Sequence, residues 1–197
     1  MKRIVVLISG SGSNLQALIN ATQDGIVSGD IVGVISNRKS AYGLERAQAA
    51  DIPSAVLSFS PFKDRGEPRE AYDVALADLV STYQPDIIVL AGWMRILTSH
   101  FINCFPDRLI NLHPALPGAH PGTDAIQRAW LDAQNGGAQE TGIMVHRVIE
   151  EIDAGSVLGI QRIALEDNES LASLTERMHV AEHTLLVQVV RELCLTN

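Results

Sequence analysis

Cysteine is nearly missing from this chain: Cys104 and Cys194 are the only two in 197 residues, far apart and outside any C-x-x-C pair. That leaves no disulfide framework or zinc knuckle to read, and it fits a reducing, cytoplasmic setting. Long apolar runs are missing as well. No stretch approaches the ~20 residues that cross a bilayer, and the run at 4–8 after Met1-Lys2-Arg3 stops at Ser9, short of a signal-peptide core. Basic residues are in the minority, 15 against 23 acidic, for a net charge of −8. No general affinity for nucleic acid or membrane is therefore expected, and an anionic ligand must be held by a local site. The six histidines show no spacing of the H-E-x-x-H kind, so no metal is expected. Tandem repeats and low-complexity tracts are absent.

What is present is 46% apolar residues against 19% charged, with a mean hydropathy of +0.12. This composition describes a folded globular protein, expected to form one domain over 1–197. Surface scaling lets a chain of this mass bury about 70% of its surface, so it needs no covalent or metal staple.

Ile4-Val5-Val6-Leu7-Ile8 is a β-branched run without polar alternation, as a strand buried on both faces requires. It runs into Ser9-Gly10-Ser11-Gly12-Ser13-Asn14, and then Leu15, Leu18 and Ile19 recur at helical spacing. The glycines thus lie in a strand-to-helix turn, with Ser13 or Asn14 as the expected helix cap. The same alternation predicts strands at 31–35, 54–57, 86–91 and 109–112, and helices at 41–50, 69–83 and 99–105. Residues 59–68, with two prolines and four charges, read as a surface loop able to overhang a cleft. A rigid Pro/Gly loop at 114–122 precedes a helix from Thr123 or Asp124 to about Asn135. Strands at 142–149 and 156–163 and a long helix at 170–195 complete the pattern. The fold class expected is α/β: a single-domain, mostly parallel twisted sheet of about seven strands, with helices on both faces.

In such sheets ligands bind beyond the carboxyl ends of the strands, and the polar residues of interest fall there. The glycine turn offers backbone N–H groups at a helix start, which suits a phosphate. As a dinucleotide fingerprint it fails, because Leu15 stands where a third small residue is needed and Ser36-Asn37-Arg38 replaces the acidic residue for a ribose. A tight turn without a ligand is the plain alternative. Asn111 and His113, two apart on one strand, point to the same face. An amide can donate to a developing oxyanion and an imidazole can move a proton near neutral pH, which suits attack on a carbonyl carbon. The pair alone is equally compatible with a buried histidine satisfied by its neighbours. Asp153, in the turn Ile149-Glu150-Glu151-Ile152-Asp153, is able to orient an imidazole if the fold brings the two together. Arg69 and Arg95 suit a ligand carboxylate or a plain surface role, Glu182 a sugar diol or a polar helix face, and Cys104 packing.

Taken in order, Ile4 to Gln16 with its glycine turn, Arg69-Glu70-Ala71-Tyr72-Asp73, Leu90 to Leu97, Asn111-Leu112-His113-Pro114 and Ile152-Asp153-Ala154-Gly155 resemble the glycinamide ribonucleotide transformylases. The resemblance covers nearly the whole chain. It implies a Rossmann-like formyltransferase domain that carries formyl from 10-formyltetrahydrofolate, a co-substrate, to the glycyl amine of 5'-phosphoribosylglycinamide (GAR), a step of purine synthesis. On this analogy Asn111 binds the formyl oxygen, His113 stabilises the tetrahedral intermediate and moves a proton, and Asp153 raises the histidine pKa. The GAR phosphate falls on Gly12, Ser13 and Asn14 and its ribose near Glu182. The folate falls against Met94, Arg95, Ile96, Leu97, Asn111 and the turn Ile149, Glu150, Glu151, Ile152, Asp153, with Arg69 near its glutamate tail. The partners implied are these two small molecules, without nucleic acid or membrane, for a monomer or homodimer.

The sequence departs from many members after His113-Pro114: Ala115-Leu116-Pro117-Gly118 is shorter, and Pro121-Gly122-Thr123-Asp124 puts Asp124 where a histidine is common. The rivals are a formyltetrahydrofolate hydrolase or another folate-dependent formyltransferase, such as one acting on methionyl-tRNA. Each is expected to need a further domain, and the acidic charge disfavours tRNA.

Overall fold

The computed structural model describes residues 1–196. In chain order the elements are β1 (Lys2–Ile8), α1 (Ser13–Gln23), β2 (Gly29–Ser36), α2 (Gly43–Ala49), β3 (Ser54–Val56), α3 (Ser60–Asp64) and α4 (Arg69–Ser81). They continue with β4 (Ile87–Leu90), α5 (Ser99–Cys104), β5 (Leu109–His113), α6 (Ala125–Gln134), β6 (Glu140–Arg147), β7 (Val157–Ala164) and α7 (Leu171–Leu195). The strands form a seven-stranded sheet in the order β3-β2-β1-β4-β5-β6-β7. β1 to β5 pair in parallel, whereas β6 runs antiparallel to β5 and to β7.

The two-sided burial follows from the side-chain period of a strand. Ile4, Val6 and Ile8 face a core built with Leu15, Leu18 and Ile19 of α1 and Leu174, Met178 and Leu185 of α7. Val5 and Leu7, one residue out of step, face a second core with Tyr72, Leu76 and Val80 of α4 and Phe101 of α5. All five residues of the β1 run are fully buried, which explains why that segment tolerates no polar alternation.

Several boundaries differ from the sequence expectation. Residues 59–68 are not a plain loop: Ser60–Asp64 forms α3, started by Pro61 near its first position. Phe59 and Phe62 set their edges on Tyr72, with ring centroids at 5.6 and 5.4 Å. β6 begins and ends two residues earlier than expected, and β5 extends through His113. Neither Ser13 nor Asn14 caps α1; Gly12 does, in the left-handed region at φ 70°, without a side-chain cap bond.

That cap position requires glycine twice over. A Cβ on Gly12 would stand 2.6 Å from the Gly43 Cα, on top of the strain of a positive φ. Gly12→Ala is expected to cost about 1–3 kcal/mol, seen as a fall of several degrees in Tm by calorimetry. An unchanged Tm would show that the turn relaxes freely.

Candidate functional site

Between β1 and β4 the strand order reverses, and in an open α/β sheet a crevice forms outside the carboxyl ends at that point. A cleft of about 560 Å³ lies there, lined by the whole turn Ser9, Gly10, Ser11, Gly12, Ser13 and Asn14, by Gly92 and Met94 after β4, and by Glu182 of α7. The two turns are tied together, since the Met94 N–H donates to the buried Ser9 hydroxyl at 2.8 Å. Across the cleft the Asn14 amide donates to Glu182 Oε2 at 3.0 Å, while Asn14 Oδ1 is buried without a partner. Burial pushes the Glu182 carboxyl above the usual carboxylate range, against the Asn14 donor and the nearby His179. A glycine turn rich in N–H donors beside the Glu182 carboxyl and the partnerless Asn14 Oδ1 suits a phosphate joined to a diol.

Leu112 and Pro114, which flank His113, also line this cleft, and behind them the catalytic candidates converge. Asp153 is the meeting point. Its Oδ1 accepts from the Asn111 amide at 3.2 Å, and its Oδ2 lies 3.3 Å from His113 Nδ1 and accepts from the Gly122 N–H at 2.9 Å. The other nitrogen of His113, Nε2, stands 3.1 Å from the His120 carbonyl oxygen. Both ring nitrogens of His113 therefore face acceptors, an arrangement that favours the imidazolium once a proton arrives.

A second imidazole shares the carboxylate. His146 Nε2 lies 3.5 Å from Asp153 Oδ1 and 3.3 Å from the Asn111 amide, and its Nδ1–H donates to the Arg147 carbonyl at 2.8 Å. Burial would raise the Asp153 carboxyl, but His146, the Gly122 N–H and His113 together hold it below the usual carboxylate range. Burial pushes the His113 imidazole below the ordinary histidine range, and His146 adds to this. The Asp153 carboxylate pulls it upward, as the resemblance implies, but burial outweighs that pull and the net shift is downward. Burial thus favours the neutral imidazole of His113, with the Asp153 carboxylate beside it.

The family model described as formyl transferase matches residues 2–190. The chain belongs to the formyl transferase family. It is 44% identical to the phosphoribosylglycinamide formyltransferase of Schizosaccharomyces pombe over 98% of each chain. The Escherichia coli protein of that name is 39% identical over 95% of this chain and 84% of its own length. Among solved structures, glycinamide ribonucleotide transformylase 1 from Geobacillus kaustophilus superposes with a TM-score of 0.90 at 33% identity, covering 98% of both chains. The architecture is therefore that of a mostly parallel formyltransferase sheet.

The fold brings Asn111, His113 and Asp153 into one cluster, and Gly12, Ser13, Asn14 and Glu182 into one cleft. The expected folate residues divide. Met94, Ile96, Ile149 and Ile152 are exposed apolar groups, at 62, 53, 44 and 46%, and Glu150 and Glu151 are exposed with them. Leu97 instead packs into the second core. The Arg95 guanidinium lies 3.9 Å over the Phe59 ring, and the buried Nε atoms of Arg95 and Arg69 have no partner. Asp124 stands at the start of α6 in the left-handed region but makes no cap bond with its side chain. Cys104 is exposed on α5, its sulfur 3.9 Å from His100, rather than packed.

The sequence reasoning missed His146. It lies in β6 directly across from Asn111, and only that register reveals its role. We expect His146→Ala to raise the Asp153 pKa, since one of the groups that lowers it is gone. Carboxyl-carbon NMR titration would read this, and an unmoved Asp153 titration would remove His146 from the network.

Proposed function

We propose that this protein transfers the formyl group of 10-formyltetrahydrofolate to the glycyl amine of GAR, giving formyl-GAR and tetrahydrofolate in purine synthesis. The observation that carries the reading is the Asn111–His113–Asp153 cluster at the end of a cleft that presents a phosphate turn and a diol-binding pair. The full-length similarity to phosphoribosylglycinamide formyltransferases supports the same substrates.

In this reading the GAR phosphate sits on Gly12, Ser13 and Asn14 and its ribose against Glu182. The folate lies on Met94, Arg95, Ile96, Leu97 and the Ile149, Glu150, Glu151, Ile152 turn, with Arg69 toward its tail. The amine attacks the formyl carbon, and Asn111 holds the oxygen as it gains charge. His113, neutral at the start, takes the proton the amine loses and becomes an imidazolium paired with Asp153. As the tetrahedral intermediate collapses, the His113 imidazolium gives that proton to the folate nitrogen, which leaves as the amine of tetrahydrofolate while the formyl group stays on the glycyl nitrogen. Residues 1–197 are taken to act as one catalytic domain in the cytoplasm, as a monomer or homodimer, free of nucleic acid and membrane. The net charge of −8 supports the last point, and no helix among the described residues is long and apolar enough to cross a membrane.

Loss of 10-formyltetrahydrofolate, followed spectrophotometrically with and without GAR, tests the activity. Turnover is expected only with the acceptor; acceptor-independent turnover would make the protein a hydrolase instead. His113→Ala is expected to lower kcat by at least ~10² with the fold intact, and near-normal turnover would remove His113 from the chemistry.

The pH profile follows from the shifts. Because burial pushes the His113 pKa down, the acid limb of kcat/KM should lie below the ordinary histidine range, activity falling as the base is protonated. Asp153→Asn removes the carboxylate that pulls the imidazole upward, so the limb should move to still lower pH while kcat falls by about 10² or more. A limb that stays in place would overturn the pairing.

A further inference from the structure

The walls of the switch-point cleft carry two acids, Asp124 and Glu182, in a chain whose net charge is −8. A phosphate bound there meets helix-end N–H groups and a negative surround. Among the described residues lining the cleft, the single arginine or lysine is Arg38, a residue that the phosphate turn, the diol pair and the catalytic cluster leave without a task.

Its placement is fixed by the sheet. β1 and β2 run parallel with Ile8 opposite Ser36, so residue 38 leaves β2 abreast of Gly10. The turn carrying Arg38 is braced from below: the fully buried Ser36 hydroxyl donates to the Arg38 carbonyl at 2.8 Å and accepts the Arg38 N–H at 3.0 Å. The same connection is pinned to the glycine turn, because the Gly43 N–H donates to the Gly10 carbonyl at 3.1 Å. The backbone is thus held, whereas the guanidinium makes no hydrogen bond or ion pair within the described residues. This contrasts with Arg46 close by, whose Nε donates to the Ser11 carbonyl at 2.9 Å and whose Nη1 donates to Gln16 at 3.1 Å. Arg46 is part of the scaffold of the turn; Arg38 is not.

We propose that Arg38 is a specificity-determining residue that closes on the substrate's phosphate from the β2 side, opposite the N–H groups of Gly12, Ser13 and Asn14. A fixed fork of donors suits a phosphate dianion, and a guanidinium there offsets Asp124 and Glu182. The inference rests on the proposed GAR reading. Its consequence is that Arg38 selects phosphorylated acceptors and leaves the chemical step alone.

Two comparisons test it. In the first, kcat/KM is measured for GAR and for the same compound with a free 5'-hydroxyl. Arg38→Ala should raise KM for GAR by about 10- to 100-fold with kcat retained, leave the unphosphorylated acceptor unaffected, and so shrink the discrimination by that factor. Arg38→Lys should recover part of it. Equal losses on both acceptors, or an unchanged KM for GAR, would overturn the proposal. In the second, ribose 5-phosphate binding is measured by titration calorimetry, without formyl transfer. Weaker binding by the alanine variant supports the role even if the wild-type protein proves inert toward GAR, which would sink the function alone. Equal affinities, or no binding by the wild type, overturn the role of Arg38.

Discussion

One carboxylate holds the catalytic end of this molecule together. Asp153 lies in a turn between two strands, in the left-handed region at φ 53°, a conformation a non-glycine residue keeps only when its surroundings over-determine it. Those surroundings come from separate parts of the chain: Asn111 and His113 from β5, Gly122 from the Pro/Gly loop, and His146 from β6. The contacts tie the Pro/Gly loop and the Asp153 turn to two strands that the sheet already orders. In a partly buried site such contacts reinforce one another, and losing any one leaves polar groups unsatisfied. The rigid loop at 114–122 then has a physical purpose, since its Gly122 N–H lowers the Asp153 pKa while its His120 carbonyl faces His113.

The rest of the site depends on sheet topology rather than on side-chain networks. Reversal of strand order between β1 and β4 opens a crevice, and the helix start that follows β1 supplies it with donors already lacking partners. Closeness of the connections is what keeps those donors aligned: Gly12 and Gly43 approach so tightly that neither has room for a side chain. The glycine-turn end of the cleft is thereby shaped by backbone, and the Asn111–His113–Asp153 cluster by side chains.

Much of this was legible in the sequence, and the failures have physical causes. The apolar runs of the parallel strands and the glycine turn read correctly because both are dictated locally, by the period of buried strands and by positive φ. Ser and Asn are the usual caps, which points to Ser13 or Asn14 for α1; Gly12 holds the position instead, with Gly43 lying against it, a contact between distant residues. The two prolines and four charges of 59–68 resemble a linker, and the order of α3 comes instead from Phe59 and Phe62 packing on Tyr72. His146 carried no signal at all, since pairing with Asn111 is a property of strand register.

The direction of the His113 shift shows how burial and charge divide the work of acid–base chemistry. A histidine raised by its carboxylate would be protonated near neutrality and unable to accept a proton. Burial removes that difficulty by penalising the charged form in the resting site, and the same low-dielectric surroundings strengthen its attraction to Asp153 once the proton has been taken. The two acceptors on its ring nitrogens, Asp153 and the His120 carbonyl, serve the imidazolium better than the neutral ring, which can donate to only one of them. The paired acceptors thus offset part of the burial penalty on the charged ring, while the net downward shift leaves the neutral imidazole as the favoured resting form.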